Sequence, residues 1–491
     1  MVAGGIESLG LFVVSLLFFV ALGIRQNALV ATDDHFWLAG KDLTANELSA
    51  TWSAGSLSLG LTILYYMAMT AVFGWKIFLI SIFTYLLGQL VFSYVASQWR
   101  LKYPEMTATV EEVVSAGTNK LALIRLAQYS GLFSLMAMLY AELFFSSQII
   151  NSILGSSSPS WAPTLLFITS LLIVTLYVLF GGMRAIVESD RWQLYLLYGA
   201  VATLLILAMI LMASGVKPKF ESSLPWLEFN LSKVDTISYF IFGLAANILP
   251  LLCQNSLWQM ASSTEPGSIL SGARRGILRA FITFTIVIFI AFVINGRGEP
   301  VSTNLLVNSM ISLGDFGSHF LLPIMFVGFL AAMLSTADNL LLGSALTIKH
   351  LLGGSRLNPL KSLSVVKERL LLVSSVAVIE VIAFVTVTHI LEKTFASYFL
   401  SLVFFLFSQA APFGLIILLA ALYPNRLRQS GIMVLGVAIA WLLDFSAFVY
   451  ASSSGLQKVQ FVATPLAILI TFLFAFRFNA ASNIQPGDSH E

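Results

Sequence analysis

The sequence predicts an all-α multi-pass membrane protein, and three observations carry that prediction. Hydrophobic residues fill 58% of the 491 positions and charged residues 10%, with a mean hydropathy of +0.89, a balance that no water-exposed surface sustains. Thirteen apolar runs are long enough to cross a hydrocarbon core of roughly 30 Å as helices. Between alternating connections Lys and Arg divide nineteen to seven, the asymmetry that positive-inside topology requires. Gly- and Phe-rich runs of this length lack the short alternation of β-barrel strands.

The runs lie at about 7–24, 48–72, 76–98, 124–152, 162–180, 188–214, 236–257, 277–296, 318–348, 369–390, 396–423, 430–451 and 459–476. Met1–Gly10 carries Glu7 and no Lys or Arg, unlike the basic start of a secretory leader, and Arg25 follows the first run. The first helix is therefore expected to stay, with the N-terminus outside and the C-terminus in the cytoplasm. A single membrane domain over 1–478 and a polar tail over 479–491 are expected, since no linker splits the chain. Short loops fit the inner membrane of a bacterium. A net charge of +2, spread along the loops, gives no footprint for nucleic acid. Cys253, the single cysteine, excludes an internal disulfide, and its neighbours Leu251 and Leu252 make a metal site there a poor fit.

Ionisable groups in apolar spans cost at least about 2.5 kcal/mol at the midplane, so each calls for a purpose. Candidates are Glu142, Glu188 with Asp190, Asp338, Glu380 and Asp444. Ser335, Asp338 and Asn339 stand at i, i+3 and i+4, on one helical face. Hydroxyl, carboxylate and amide oxygens on one stripe suit a hard cation such as Na⁺, or a proton relay. Ser335 and Thr336 taken alone could equally bond back to their own helix. Asp190 could pair with Arg184 or Arg191, and Glu380 and Asp444 could serve as helix-to-helix glue. No His pair has metal-ligand spacing, which argues against a membrane enzyme.

Two spans carry helix-breaking composition. Ser53-Ala54-Gly55-Ser56-Leu57-Ser58-Leu59-Gly60 holds a helix poorly, and the seventh span contains Gly243 and Pro250. The interrupted spans open two groups of helices, 48–214 and 236–390. Broken helices at matching places in two repeats point to a transporter's binding site.

Several strings resemble the sodium:solute symporter family. Asp34-His35-Phe36-Trp37-Leu38-Ala39-Gly40-Lys41 followed by Ser53-Ala54-Gly55 is similar to its opening motif. Gly181-Gly182-Met183-Arg184-Ala185-Ile186-Val187-Glu188-Ser189-Asp190, Gly272-Ala273-Arg274-Arg275-Gly276 and Ala332-Met333-Leu334-Ser335-Thr336-Ala337-Asp338 resemble three further motifs, in the right order. The resemblance implies a LeuT-like five-plus-five inverted repeat with one leading and two trailing helices, and Na⁺-coupled symport of a small organic solute by alternating access. It places Na⁺ between the Ser56 and Leu59 carbonyls, the Ala332 carbonyl and the Ser335 and Thr336 hydroxyls. A second cation site would use Asp190, Ser335, Asp338 and Asn339. Solute would meet Ser58, Thr62, Tyr65, Gln89, Glu142, Asn247 and Gln254. The seventh span departs from the pattern at Leu252–Gln259, so its inner gate is expected to differ, and Glu142 stands where relatives often have glutamine. Proton coupling on the same fold, or a transport-inactive sensor, are the alternatives; substrate identity and oligomeric state are left open.

Overall fold

A computed structural model describes residues 3–28, 30, 32–63, 66–67, 75–103, 109–117, 121–154, 161–218, 233–296, 312–353, 364–391, 404–423, 427–428, 430–454, 456 and 458–476. Tyr65 and the tail 479–491 lie outside the described residues. The leading helix α1 (Ala3–Asn27) is followed by the short α2 (Asp33–Leu38), whose first turn is capped by the Thr32 hydroxyl. The backbone then turns sharply: Ala39, Gly40 and Lys41 have φ of 50°, 78° and 63°. Thr44 starts α3 (Ala45–Ser56) through a reciprocal capping box with Glu47. This helix stops at Leu57 and the chain resumes as a wide turn over Leu59–Ile63, which is the break expected in the second span.

Next come α4 (Trp75–Lys102), the short α5 (Val110–Gly117) and α6 (Leu121–Leu154). Helix α7 runs over Ala162–Ala213, 52 residues. At 1.5 Å per residue that is about 78 Å, more than twice a hydrocarbon core, so it contains two spans. They divide at Gly182, with φ 53° and ψ −143°. A β-carbon there would also lie 2.3 Å from the Phe36 carbonyl oxygen, so conformation and close approach both demand glycine. The sequence reading expects a connection over 181–187, whereas the helix resumes directly after Gly182.

The seventh span is interrupted between α8 (Lys233–Ile248) and α9 (Asn255–Ser262) by a tight turn, Pro250–Cys253. Pro250 marks the interruption. Gly243 does not: it stays helical and serves packing, since a β-carbon there would meet the Thr84 hydroxyl at 2.9 Å. Helices α10 (Ile269–Asn295), α11 (Leu322–Gly353), α12 (Val365–Leu391), α13 (Ala411–Leu422), α14 (Ser430–Ser454) and α15 (Lys458–Ala475) complete the bundle. Ten described helices are long and apolar enough to cross a membrane. With α7 counted twice, and α1 and the broken second span added, each of the thirteen apolar runs has a helical counterpart. Leu, Phe and Ile side chains outside the core, such as Leu172, Phe281 and Leu442, give the bundle an apolar outer surface suited to lipid.

Helix α3 packs against α7, α10 and α11, and α11 sits at the centre, against α6 and α7 as well. Helix α11 forms most of the span that is the most enclosed of the ten. Polar groups on α3 and α11 are therefore shielded from lipid and face one another.

Candidate functional site

The break in the second span frees backbone N–H groups that a buried helix end must satisfy. Glu142, fully buried on α6, meets them. Its Oε1 accepts from Leu59 N at 3.1 Å, and its Oε2 from Gly60 N and Leu61 N, each at 3.1 Å. The Ser58 hydroxyl donates to Oε2, and the Ser146 hydroxyl to Oε1 at 3.2 Å. The Ser58 oxygen in turn accepts from Leu61 N at 2.9 Å. A carboxylate at the start of the resumed helix also complements that helix's dipole.

The other residues expected around the solute are tied into the same framework. Gln89 accepts from Trp52 Nε1 and donates to Ser56 Oγ, both at 2.9 Å. The Thr62 hydroxyl donates to the Ser58 carbonyl at 2.8 Å and reaches the Ser56 carbonyl at 3.2 Å. At the seventh-span interruption Asn247 donates to Thr84 Oγ1 at 2.9 Å, and Gln254 to Met138 Sδ at 3.6 Å.

On the opposite side of α3 lies the ninth-span stripe. Ser335 Oγ is 3.2 Å from the Ala54 carbonyl and 3.1 Å from the Ala332 carbonyl, so it bridges α3 and α11. Thr336 Oγ1 reaches the Ala332 carbonyl at 3.5 Å. Asn339 donates to the Ser335 carbonyl at 2.8 Å and to Asp338 Oδ1 at 3.1 Å. Asp338 Oδ2 accepts from Tyr177 OH at 2.5 Å and lies 3.4 Å from Ser189 Oγ. Asp338 is thus provided with donors, although its side chain is fully buried.

Asp190 is not. It is fully buried on the second half of α7, beside Asp338 and flanked by Thr51 and Asn339. Yet neither of its carboxylate oxygens has a donor in hydrogen-bonding geometry among the described residues: Thr51 and Asn339 stand close without completing a bond, and the Thr51 hydroxyl is itself unsatisfied. Neither arginine near it in sequence serves it. Arg184 pairs with Asp42 and Glu47, and Arg191 with Glu47 and Glu188. A buried carboxylate next to a second carboxylate, with no donor, is strongly unfavourable unless a cation or a proton joins it.

Thr51, Tyr177 and Ser189 are members of this cluster that the sequence reading does not single out. Thr51 was within reach, since it stands four residues before Gly55 on the same helical face. Tyr177 gives no such signal, being 161 residues from Asp338. Asp444 is accounted for by hydroxyls: Ser408 donates to it at 2.6 Å and Thr464 at 2.5 Å. Oε2 of buried Glu380 has no partner among the described residues.

A charged clasp closes the end of the bundle where α2 lies. Asp33 pairs with Lys349 and with Arg369, and Lys349 also meets Glu368 at 3.2 Å. Arg369 donates to the Thr32 carbonyl at 2.8 Å and stacks 4.5 Å from the Phe36 ring. Gln259 of α9 holds the Trp37 carbonyl at 2.7 Å. Each pair is partly exposed and worth little alone, but they converge on one segment. Asp33→Asn is expected to loosen it and to quicken maleimide labelling of buried Cys253, the native thiol two residues before α9. A labelling rate equal to wild type would show that the clasp does not restrain this region.

No protein-family model matches the chain, and no curated protein does. Solved structures do match. A Na⁺-coupled sialic acid symporter in a substrate-bound outward-open state, described as revealing a novel Na⁺ site, superimposes with a TM-score of 0.70 over 94% of this chain and 97% of its own, at 14% identity. The chain has the LeuT-like fold. MhsT in complex with L-phenylalanine gives a TM-score of 0.54 at 18% identity, covering 88% of this chain and 98% of MhsT. A variant of the manganese transporter of Eremococcus coleocola gives 0.52 at 14% identity, covering 90% and 94%. These identities carry architecture alone. The cargo of each protein is its own.

Proposed function

We propose that the chain is a secondary active transporter that carries a small organic solute with Na⁺ across the cell membrane by alternating access. The observation that carries the reading is Asp190: a donorless, fully buried carboxylate beside Asp338, Thr51 and Asn339. The carboxylate oxygens of Asp190 and Asp338 and the Thr51 hydroxyl oxygen are hard ligands of the type Na⁺ takes. Ser335, spanning from α11 to the Ala54 carbonyl of α3, supports a second ion position at the break, with Ala332 and Thr336 contributing oxygens. The Ser56 and Leu59 carbonyls remain candidates for that position.

An ion held in common by α3, α7 and α11 would stabilise the arrangement in which these helices touch. Opening toward the cytoplasm would separate them and release it. Linkage makes the coupling reciprocal, so bound solute must tighten sodium binding by the same factor. The driving force suffices: about 2.3 kcal/mol per charge per 100 mV corresponds to roughly fiftyfold accumulation for one ion.

Proton coupling has one observation in its favour, the adjacency of two buried carboxylates, which can share a proton. Replacing sodium by choline at fixed pH separates the readings, since proton-driven flux would persist. The reading is tested by the thermal stability of purified protein against a metabolite panel, with and without Na⁺. A transported solute should raise the midpoint more with sodium present. If neither sodium nor any solute shifts it, or if each acts independently, symport with Na⁺ falls.

A further inference from the structure

Where a carrier's helix is broken near its binding site, the N–H groups freed at the break can cradle an anionic group of the solute. In this chain the cradle is already full. Leu59, Gly60 and Leu61 all donate to Glu142, as does Ser58. Counting Ser146, five donors converge on a carboxylate that offers about four lone-pair positions. The Leu59, Gly60 and Leu61 N–H groups and the Ser58 hydroxyl are thus committed to Glu142 rather than to a second carboxylate, and Glu142 has no accessible surface through which one could displace it from outside.

Charge gives an independent argument. An incoming carboxylate would stand beside Glu142 in a low-dielectric interior, where like charges repel strongly. A cation nearby could compensate. Among the described residues the only buried basic side chain is Arg100, which donates to the Ser262 carbonyl at 3.4 Å. It lies eleven residues beyond Gln89 on α4, about 16 Å along the helix from the break. A further constraint is space. A β-carbon at Gly60 would sit 3.1 Å from Glu142 Oε2 and 3.1 Å from the Phe145 β-carbon, so α6 is packed directly on the resumed helix.

We infer that Glu142 is a built-in occupant of the anion cradle, and that the solute of this carrier presents no carboxylate where it meets the second-span break. The solute class is therefore a non-acidic polar molecule, recognised at that end through hydroxyl, amide or amine groups. The inference rests on the carrier reading for its solute and on Glu142 alone for the filled cradle.

The experiment separates the two. Purified Glu142→Ala protein is melted with and without tens of millimolar acetate, alongside wild type and Glu142→Gln. The alanine variant should lose several degrees of thermal midpoint and regain most of the loss in acetate, which replaces the missing carboxylate. Wild type should not respond, because its cradle is full. The glutamine variant, with the side-chain volume and one acceptor kept, should melt between the other two and ignore acetate; it stays informative if the alanine variant does not fold. Sodium-dependent hits from the metabolite panel on wild type should lack a carboxylate at one end. The inference is overturned if acetate stabilises wild type as much as Glu142→Ala, if it restores nothing in a folded alanine variant, or if a small monocarboxylate gives the sodium-dependent hit. A flat sodium response with acetate rescue intact would overturn the coupling reading alone.

Discussion

Asp190→Asn should remove the response to sodium while raising the thermal midpoint of the protein measured without sodium. The two effects have opposite sign, and a merely structural aspartate would not produce both. In wild type without sodium the side chain must either hold a negative charge in the interior or take up a proton, with no donor in hydrogen-bonding geometry and a second carboxylate beside it. Folding without a cation bears the cost of one or the other, and an amide removes it. With sodium present the same charge is the main attraction. Losing one charged partner of a buried set costs about 3–5 kcal/mol, so apparent sodium affinity should fall by roughly a hundredfold or more. Uptake assayed against a sodium titration, with melting of the same preparations, checks both halves. A variant that melts lower than wild type without sodium, yet keeps its sodium dependence, would place Asp190 among ordinary structural residues.

The double substitution Ser335→Ala with Thr336→Ala should weaken apparent sodium affinity about tenfold or more and leave the protein folded. Each hydroxyl is a neutral ligand worth about 1 kcal/mol, and two of them correspond to more than a factor of ten. The fold should survive because both hydroxyls already lean on the Ala332 carbonyl of their own helix, and alanine suits a helix interior. What is lost is the bridge from Ser335 to the Ala54 carbonyl across 281 residues of sequence. Wild-type sodium dependence of uptake in the double variant would remove these hydroxyls from the ion's surroundings.

Both variants act on a part of the molecule that is legible in the sequence. A stripe at i, i+3 and i+4 exposes Ser335, Asp338 and Asn339 as one face, because helical periodicity is a local property. The second-span break is legible for the same reason, since Ser and Gly content weakens a helix wherever it occurs. Asp190 announces itself as an expensive charge near an apolar run. Its lack of partners does not, for that depends on where Arg184 and Arg191 turn. The role of Glu142 is hidden too: it meets N–H groups more than eighty residues away in the chain, and no spacing encodes that meeting. Gly243 shows the converse. Its helix-breaking chemistry reads as an interruption, whereas tertiary packing against Thr84 uses the missing side chain and leaves the helix intact.

If the chain couples to sodium as proposed, the Asp190 pocket holds the ion. Equilibrium binding of radioactive sodium to purified protein measures it without needing the solute. Wild type should bind sodium saturably, and that binding should be lost, or reduced to the site bridged by Ser335, in Asp190→Asn. Equal binding stoichiometry and affinity in the two proteins would contradict it.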